Sequence, residues 1–535
     1  MKWKMIFISM MILFVLAACG KEKDTVAEED LDNMNETGMP IVDDPIELDF
    51  FAREAAVSND DWNDVLVFNE YEEMTNMNIN WKMVTDNVIT EKLNLALGSG
   101  NLPDAFHTTF MSNNDMMKYG EQGVFIPLND LIDEYAPNFK KILEDNPVIK
   151  KQITFPDGNI YGFPKITDED FIAYRTKAKP WINEKWLDNL GMEMPETTEE
   201  FYEYLKAVKE GDPTGKGNTD IIPYGGREID TLVNYLKGAF GVANKGTSNA
   251  NVDLDPETGE LRFFPISDDY KNLMEYLHKL YSEELIAQNI FSIEDEQYRA
   301  NTKEGMYGST VFFAPVVSVG GENVKDLVGM PALEGPEGER EWVNVTPQVD
   351  NKSAFVITNE NEHPAATVRW IDYFYGEEGM KLFFMGVEGE TYEINEDGEA
   401  VYMDHILNSE EGNTIAQEQS KYLTFQGGGF PSITTEDYFQ GTAESSDEAI
   451  AAAEKLKPHL VGDPWPPFIY KEEEMDKLNS FGSDIDKYVT EMRDKFISGK
   501  ESLDNWDDYV NTLKGMNLDD YMEIKEAALE RYEEN

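Results

Sequence analysis

Cys19 is the only cysteine in 535 residues, so the chain can close no disulfide within itself. Whatever fold it takes must be held by its apolar core. The same residue ends a recognisable leader. Lys2 and Lys4 precede an uncharged apolar run over 5–18, and Leu16-Ala17-Ala18-Cys19-Gly20 surrounds a thiol with small residues. That run suits a secretory h-region and is short for a bilayer span. Residues 1–18 are therefore expected to be a lipoprotein signal peptide, with Cys19 taking a diacylglycerol and a palmitate-type chain. More than one acyl chain on a single residue anchors firmly, so the expected location is the outer, extracellular face of a bacterial cell membrane. An acylated Cys19 also leaves no thiol nucleophile and no thiolate metal ligand.

Enough apolar residues are present for two lobes: 41% are hydrophobic and 12% aromatic. Asp and Glu number 105 against 45 Lys and Arg, a formal net charge of −60. Such a surface repels nucleic acid and anionic headgroups, which excludes both as partners. It also makes carboxylate pairs at catalytic-looking spacing meaningless, because chance supplies many. Glu22, Asp24, Glu28, Glu29, Asp30, Asp32 and Glu36 crowd the segment after Cys19. Residues 19–45 are expected to be a lipidated, disordered spacer.

Beyond it, strand-like and helix-like patterns alternate, which argues for an α/β fold. Residues 46–51 read as a strand after Pro45. Residues 86–97 place Ile89, Leu93, Ala96 and Leu97 on one helical face, with Gly98 as the expected stop. Residues 102–106 read as a turn entering a strand. Thr197 and Glu200 form a capping-box pattern ahead of Phe201, Tyr204, Leu205 and Val208. Tyr270, Leu273, Met274, Leu277, Leu280 and Tyr281 mark a longer amphipathic helix. From about Tyr470 onward the chain reads as mostly helical, with Trp506, Tyr509 and Leu513 on one stripe.

Several segments resemble one family. Ser99-Gly-Asn-Leu-Pro-Asp-Ala-Phe106 is similar to the SGxxPD motif of extracellular solute-binding proteins that serve ABC importers, and Pro156-Asp-Gly-Asn-Ile-Tyr-Gly-Phe-Pro164 to their DGKxYGxP turn. Residues 181–191 with 195–201, 370–379, 386–392, 496–500 and 506–510 resemble further segments of the large lipoprotein members, in the same order along the chain. The resemblance implies a two-lobed, periplasmic-binding-protein-like α/β fold with discontinuous lobes and a ligand cleft between them. Lobe I is expected over 41–168 and 348–425, and lobe II over 169–347 and 426–535. It further implies an oligosaccharide ligand, ABC permease subunits as partners, no cofactor and a monomer. Sugars offer apolar faces to aromatic rings and hydroxyls to paired donors and acceptors, and a uronic acid would also need Arg or Lys.

Candidate cleft residues follow from strand ends and expected crossings: Arg53, Trp62, Tyr174, Arg175, Arg227, Tyr307, Phe425, Gln426 and Trp465. Arg227 follows Gly225-Gly226, and Trp465 stands in the proline-broken Asp463-Pro-Trp-Pro-Pro467, which makes these two the leading candidates. Trp186 and Trp370 read as helix core. The spacing of Gln426-Gly-Gly-Gly429 fits neither nucleotide-binding pattern, so it reads as a turn.

Residues 212–223 resemble the family's DPNGNGKxDEIP loop, which holds Ca²⁺ in some members. Asp212, Thr214, Asn218 and Asp220 keep oxygen donors. Lys216 stands at a ligand position, and Ile221 replaces the last carboxylate. The loop is expected to keep its shape and lose the metal. No G-x-S-x-G, S-x-x-K, H-E-x-x-H or Walker pattern occurs, and the five histidines are scattered, so no enzyme is expected. Two rivals share the lipid anchor: a surface polysaccharide hydrolase or lyase, which needs only two carboxylates, and a binding subunit that feeds a membrane sensor.

Overall fold

The computed structural model describes residues 28–55, 57–59, 61–215, 217, 221–424 and 429–534. Cys19 and the leader lie outside the described residues. The strands are β1 (Ile46–Glu54), β2 (Met77–Thr85), β3 (Ala105–His107), β4 (Phe163–Thr167), β5 (Lys179–Asn183), β6 (Ile222–Tyr224) and β7 (Val252–Leu254). They continue as β8 (Leu261–Phe263), β9 (Tyr307–Phe312), β10 (Leu327–Gly329), β11 (Val349–Ile357), β12 (Tyr392–Ile394), β13 (Ala400–Tyr402) and β14 (Ile433–Thr434). Two sheets carry the fold. One has the order β14-β4-β11-β3-β1-β2 and the other β10-β5-β9-β6, while β7-β8 and β12-β13 are hairpins.

Each sheet has its own core. Phe50 on β1 meets Trp81, Phe355 and Trp370 edge to face at 5.4, 5.3 and 5.3 Å. Such contacts add to the area these rings bury. Trp370 comes from the helix Pro364–Asp372 and is buried, as its periodicity implies. Around the second sheet, the helix Asp268–Ser282 buries Leu273, Met274, Leu277 and Leu280. It packs in one core with Ile485, Val489, Met492 and Phe496 of the helix Ser483–Ser498. Each such side chain contributes roughly 1.5–3 kcal/mol by burial. Trp186 is likewise core, on the helix Glu184–Leu190.

The Thr197–Glu200 capping box forms as its pattern dictates: the Thr197 hydroxyl accepts from the Glu200 N–H, and the Glu200 carboxylate accepts from the Thr197 N–H. Thr197→Ala should cost about 1 kcal/mol in urea unfolding. An unchanged midpoint would mean that tertiary packing alone starts the helix Thr198–Glu210. The helix Ile89–Ser99 buries Ile89, Leu93 and Leu97, but it runs past Gly98 and ends on Gly100, whose φ is +72°.

The acidic spacer does not extend to Pro45. Ile41 and Val42 are fully buried, Asn35 N–H donates to the Ile41 carbonyl, and Arg369 reaches the carbonyls of Asn35 and Gly38. Two apolar residues in an acidic segment are enough to seat it on the first core. Among the described residues, no helix is long and apolar enough to cross a membrane.

The chain passes between the two sheets three times, over 168–178, 346–348 and 435–446. The third passage comes later than the expected 425/426 boundary. Ile433 and Thr434 pair with Ile166 and Thr167, and Phe430 and Phe439 lie in the core of the six-stranded sheet.

Candidate ligand-binding site between the two sheets

Strand directions decide which sheet edges face each other. In the first sheet β1, β2, β3, β4 and β14 run parallel, with β11 opposed. In the second, β6, β9 and β10 run together, with β5 opposed. The passages leave the first sheet at the end of β4, the start of β11 and the end of β14. The first of them enters the second sheet at the start of β5. Both sheets therefore turn their C-terminal edges toward one another, and ligands in open α/β sheets bind at such edges.

On the first edge the residues after β3 run beside β11. Thr108 N–H donates to the Ala354 carbonyl at 2.7 Å, and Ser353 Oγ donates to the Met111 carbonyl at 3.0 Å. Thr108 and Phe110 both hold left-handed backbone, with φ of +54° and +53°. Non-glycine residues persist there only where the surroundings over-determine them, and such strain gathers at ligand sites. The hydroxyls of Thr108 and Thr109 are buried with no hydrogen-bond partner among the described residues. Phe110 is 48% exposed. Arg53, at the end of β1, places its guanidinium carbon 4.5 Å from the Phe110 ring centroid and pairs with Asp86 at 2.8 Å.

His107 closes the floor of this edge. It is fully buried, edge-on to Trp62, Trp81, Phe355 and Phe430, and burial pulls it down to about 3, so it is neutral.

The second edge carries a counterpart. Phe313 follows β9 and is 37% exposed; it and Phe110 are the only aromatics among the strongly exposed large apolar side chains of the described residues. Gly225, where β6 ends, is required: a Cβ there would lie 2.0 Å from the Tyr307 ring. Arg227 follows, exposed, with Nη1 3.9 Å from Asp295 and Nη2 3.6 Å from Glu228.

The passages are braced by the chain's own groups. Lys165, buried on β4, donates to the Tyr174 hydroxyl at 2.6 Å and to Asp350 at 3.1 Å. Arg175 donates to the carbonyls of Thr346 and Glu169. These contacts join the first passage to the second.

Of the sequence candidates, Arg53 stands on the first edge and Arg227 on the second. Tyr174 braces the passages through its hydroxyl, and Arg175 through Nε and Nη1. Trp62, Tyr307 and Trp465 are corrections. Trp62 is buried against Phe68, Trp81 and His107. Tyr307 is stacked on Tyr298 at 5.8 Å and buried. Trp465 is buried with Phe468, Ala528 and Leu529, under the last helix, Leu518–Glu534. A proline-broken loop proves as able to bury its tryptophan as a helix is. Phe425 and Gln426 lie outside the described residues, although Gly429 beside them lies against Phe110. In the calcium-type loop Lys216, Asn218 and Asp220 are also outside them. There the Asp212 carboxylate accepts from the Thr214 hydroxyl and the Gly217 N–H.

Two facing edges on two parallel-rich sheets, joined by three passages, define a two-lobed binding fold with a site between its lobes. The sequence matches the family described as bacterial extracellular solute-binding protein over residues 59–381, and the chain belongs to that family. The fructooligosaccharide ABC transporter substrate-binding protein FusA of Streptococcus pneumoniae serotype 4 is 30% identical over 539 residues, 98% of this chain and 97% of FusA. The structure of FusA in complex with kestose matches with a TM-score of 0.72 at 28% identity, covering 92% of this chain and 100% of that one. An HMO-binding, ABC-transporter-associated solute-binding protein from Bifidobacterium longum infantis matches with a TM-score of 0.75, at 20% identity over 92% of this chain and 99% of that one; at that identity it speaks for the fold alone.

Proposed function

We propose that this chain captures an oligosaccharide between its two lobes and delivers it to an ABC importer. The observation that carries the reading is the pair Phe110 and Phe313: two exposed rings, one on each facing edge, where an apolar side chain has no structural reason to meet water. A pyranose or furanose face covers such a ring. The similarity to a fructooligosaccharide-binding relative over nearly the whole chain supports the same reading. Binding draws the lobes together by rotation about the three passages. Lipid on Cys19 holds the receptor at the outer membrane face beside its permease subunits, and it works as a monomer.

Calorimetric titration with kestose, fructo-nystose, maltotriose and xylotriose tests this, with each mixture checked afterwards for cleavage. Micromolar binding of an intact sugar is the expected result. Turnover would replace the receptor with an anchored hydrolase, and silence from a broad panel would reject the oligosaccharide ligand.

A further inference from the structure

We propose that the site takes an uncharged oligosaccharide and excludes its uronic-acid counterpart, because the arginines on both facing edges are already neutralised by the chain's own carboxylates. The inference rests on the oligosaccharide reading above and deepens it.

A uronate carboxylate entering a closing cleft loses water and must be paired with a cation. The first edge offers Arg53. Its Nη1 donates to Asp86 at 2.8 Å, and its face lies on the Phe110 ring, so both its charge and its plane are engaged. Its side chain is only 15% exposed, which leaves it little freedom to turn toward a ligand. The second edge offers Arg227 and Arg299. Asp295 takes the Arg299 Nε at 2.6 Å and stands 3.9 Å from Arg227, while Glu228 stands 3.6 Å from Arg227. Two guanidiniums there face two carboxylates. Arg299 also donates from Nη1 to the Ser318 carbonyl at 2.8 Å.

A uronate would therefore have to displace Asp86 or Asp295 into a cleft losing its water, or share an arginine with a like charge. Either costs more than the pairing returns. The wider field acts the same way, since the chain's net charge of −60 repels an anion that comes within the screening length of about 8 Å. Lys177, exposed two residues before β5, and Lys455, whose amine donates to the Gly329 carbonyl where β10 ends, carry no ion pair among the described residues. A single exposed amine there keeps its water and offers one monodentate partner, a weaker pairing than the two-pronged one a guanidinium gives.

The test titrates the full chain with kestose, maltotriose and xylotriose against trigalacturonate and a mannuronate trisaccharide, at one salt concentration. The best neutral sugar is expected to bind at least 100-fold tighter than either acid. Releasing the arginines by the double substitution Asp86→Asn with Asp295→Asn should narrow that ratio at least tenfold. Tighter binding of an acid than of every neutral sugar by the unaltered chain would overturn the inference while leaving the oligosaccharide reading intact. An unchanged ratio in the folded double variant would overturn it too. Binding of neither class would overturn both.

Discussion

Alanine at both Phe110 and Phe313 is expected to weaken sugar binding by about 2–4 kcal/mol, roughly thirty- to a thousandfold, with little change in thermal stability. Phe110 is 48% and Phe313 37% exposed before a ligand arrives, so removing them opens far less buried space than removing a core ring does. What disappears is the surface on which a sugar face is sheltered from water. Trp465→Ala makes the contrasting case. That indole is buried under the last helix with Phe468 and Leu529. Its truncation should cost roughly 3–5 kcal/mol of stability and leave the affinity of the folded fraction unchanged. Calorimetry paired with urea unfolding separates the two. A stable double variant with unaltered affinity would remove the two phenylalanines from the site.

Lys352→Met is expected to stabilise the protein at pH 7, on the order of 1–4 kcal/mol. Lys352 lies on β11 with its amine buried, one long hydrogen bond of 3.3 Å reaching the Pro467 carbonyl. Burial pulls it down to about 7, whereas the unfolded chain holds that proton up to the ordinary lysine range. Between about pH 7 and pH 10 the unfolded chain therefore binds a proton that the folded chain does not. The contribution of this group to stability consequently falls as pH falls through that window and is level below it. Methionine keeps the length and removes the titration. The difference in unfolding free energy between variant and unaltered protein should be largest near pH 7 and shrink toward pH 10. A variant that is weaker at pH 7 would mean that the amine is charged and paired in the fold.

What the sequence discloses follows the range of the interaction. The capping box at Thr197, the apolar stripe of Asp268–Ser282 and the core positions of Trp186 and Trp370 are set within a few residues, and each reads directly. The helix over 89–99 reads equally well except for its stop, because Gly98 and Gly100 are both competent and only the tertiary turn into β3 chooses Gly100. Ile41 and Val42 were outweighed by the acidic residues before them, although two buried side chains suffice to seat a short segment.

The site was less legible. Trp62, Tyr307 and Trp465 each follow or flank an irregular segment, as a ligand-facing aromatic would. Their fate is decided by partners on other elements: Trp81 and His107, Tyr298, and Leu529. Phe110 and Phe313 do share a local signal, an aromatic placed one to three residues beyond the end of a strand. That signal becomes informative once strand directions reveal which ends face each other. The arginines were visible, but the carboxylates that occupy them, Asp86 and Asp295, emerged only from the fold.

The last helix, Leu518–Glu534, has a consequence of its own. It buries Leu518 and Tyr521 in the core of the four-stranded sheet, then carries Glu533, whose carbonyl accepts from Lys151, and Tyr532, whose ring lies 4.8 Å from the same amine. Lys151 belongs to the other lobe. This helix thus lies across the seam, and a fluorophore attached to a cysteine put at Glu533 sits on the contact between the two lobes. Such a reporter is expected to change its emission on sugar binding if the lobes rotate as proposed, and a bulky label there is expected to act as a wedge.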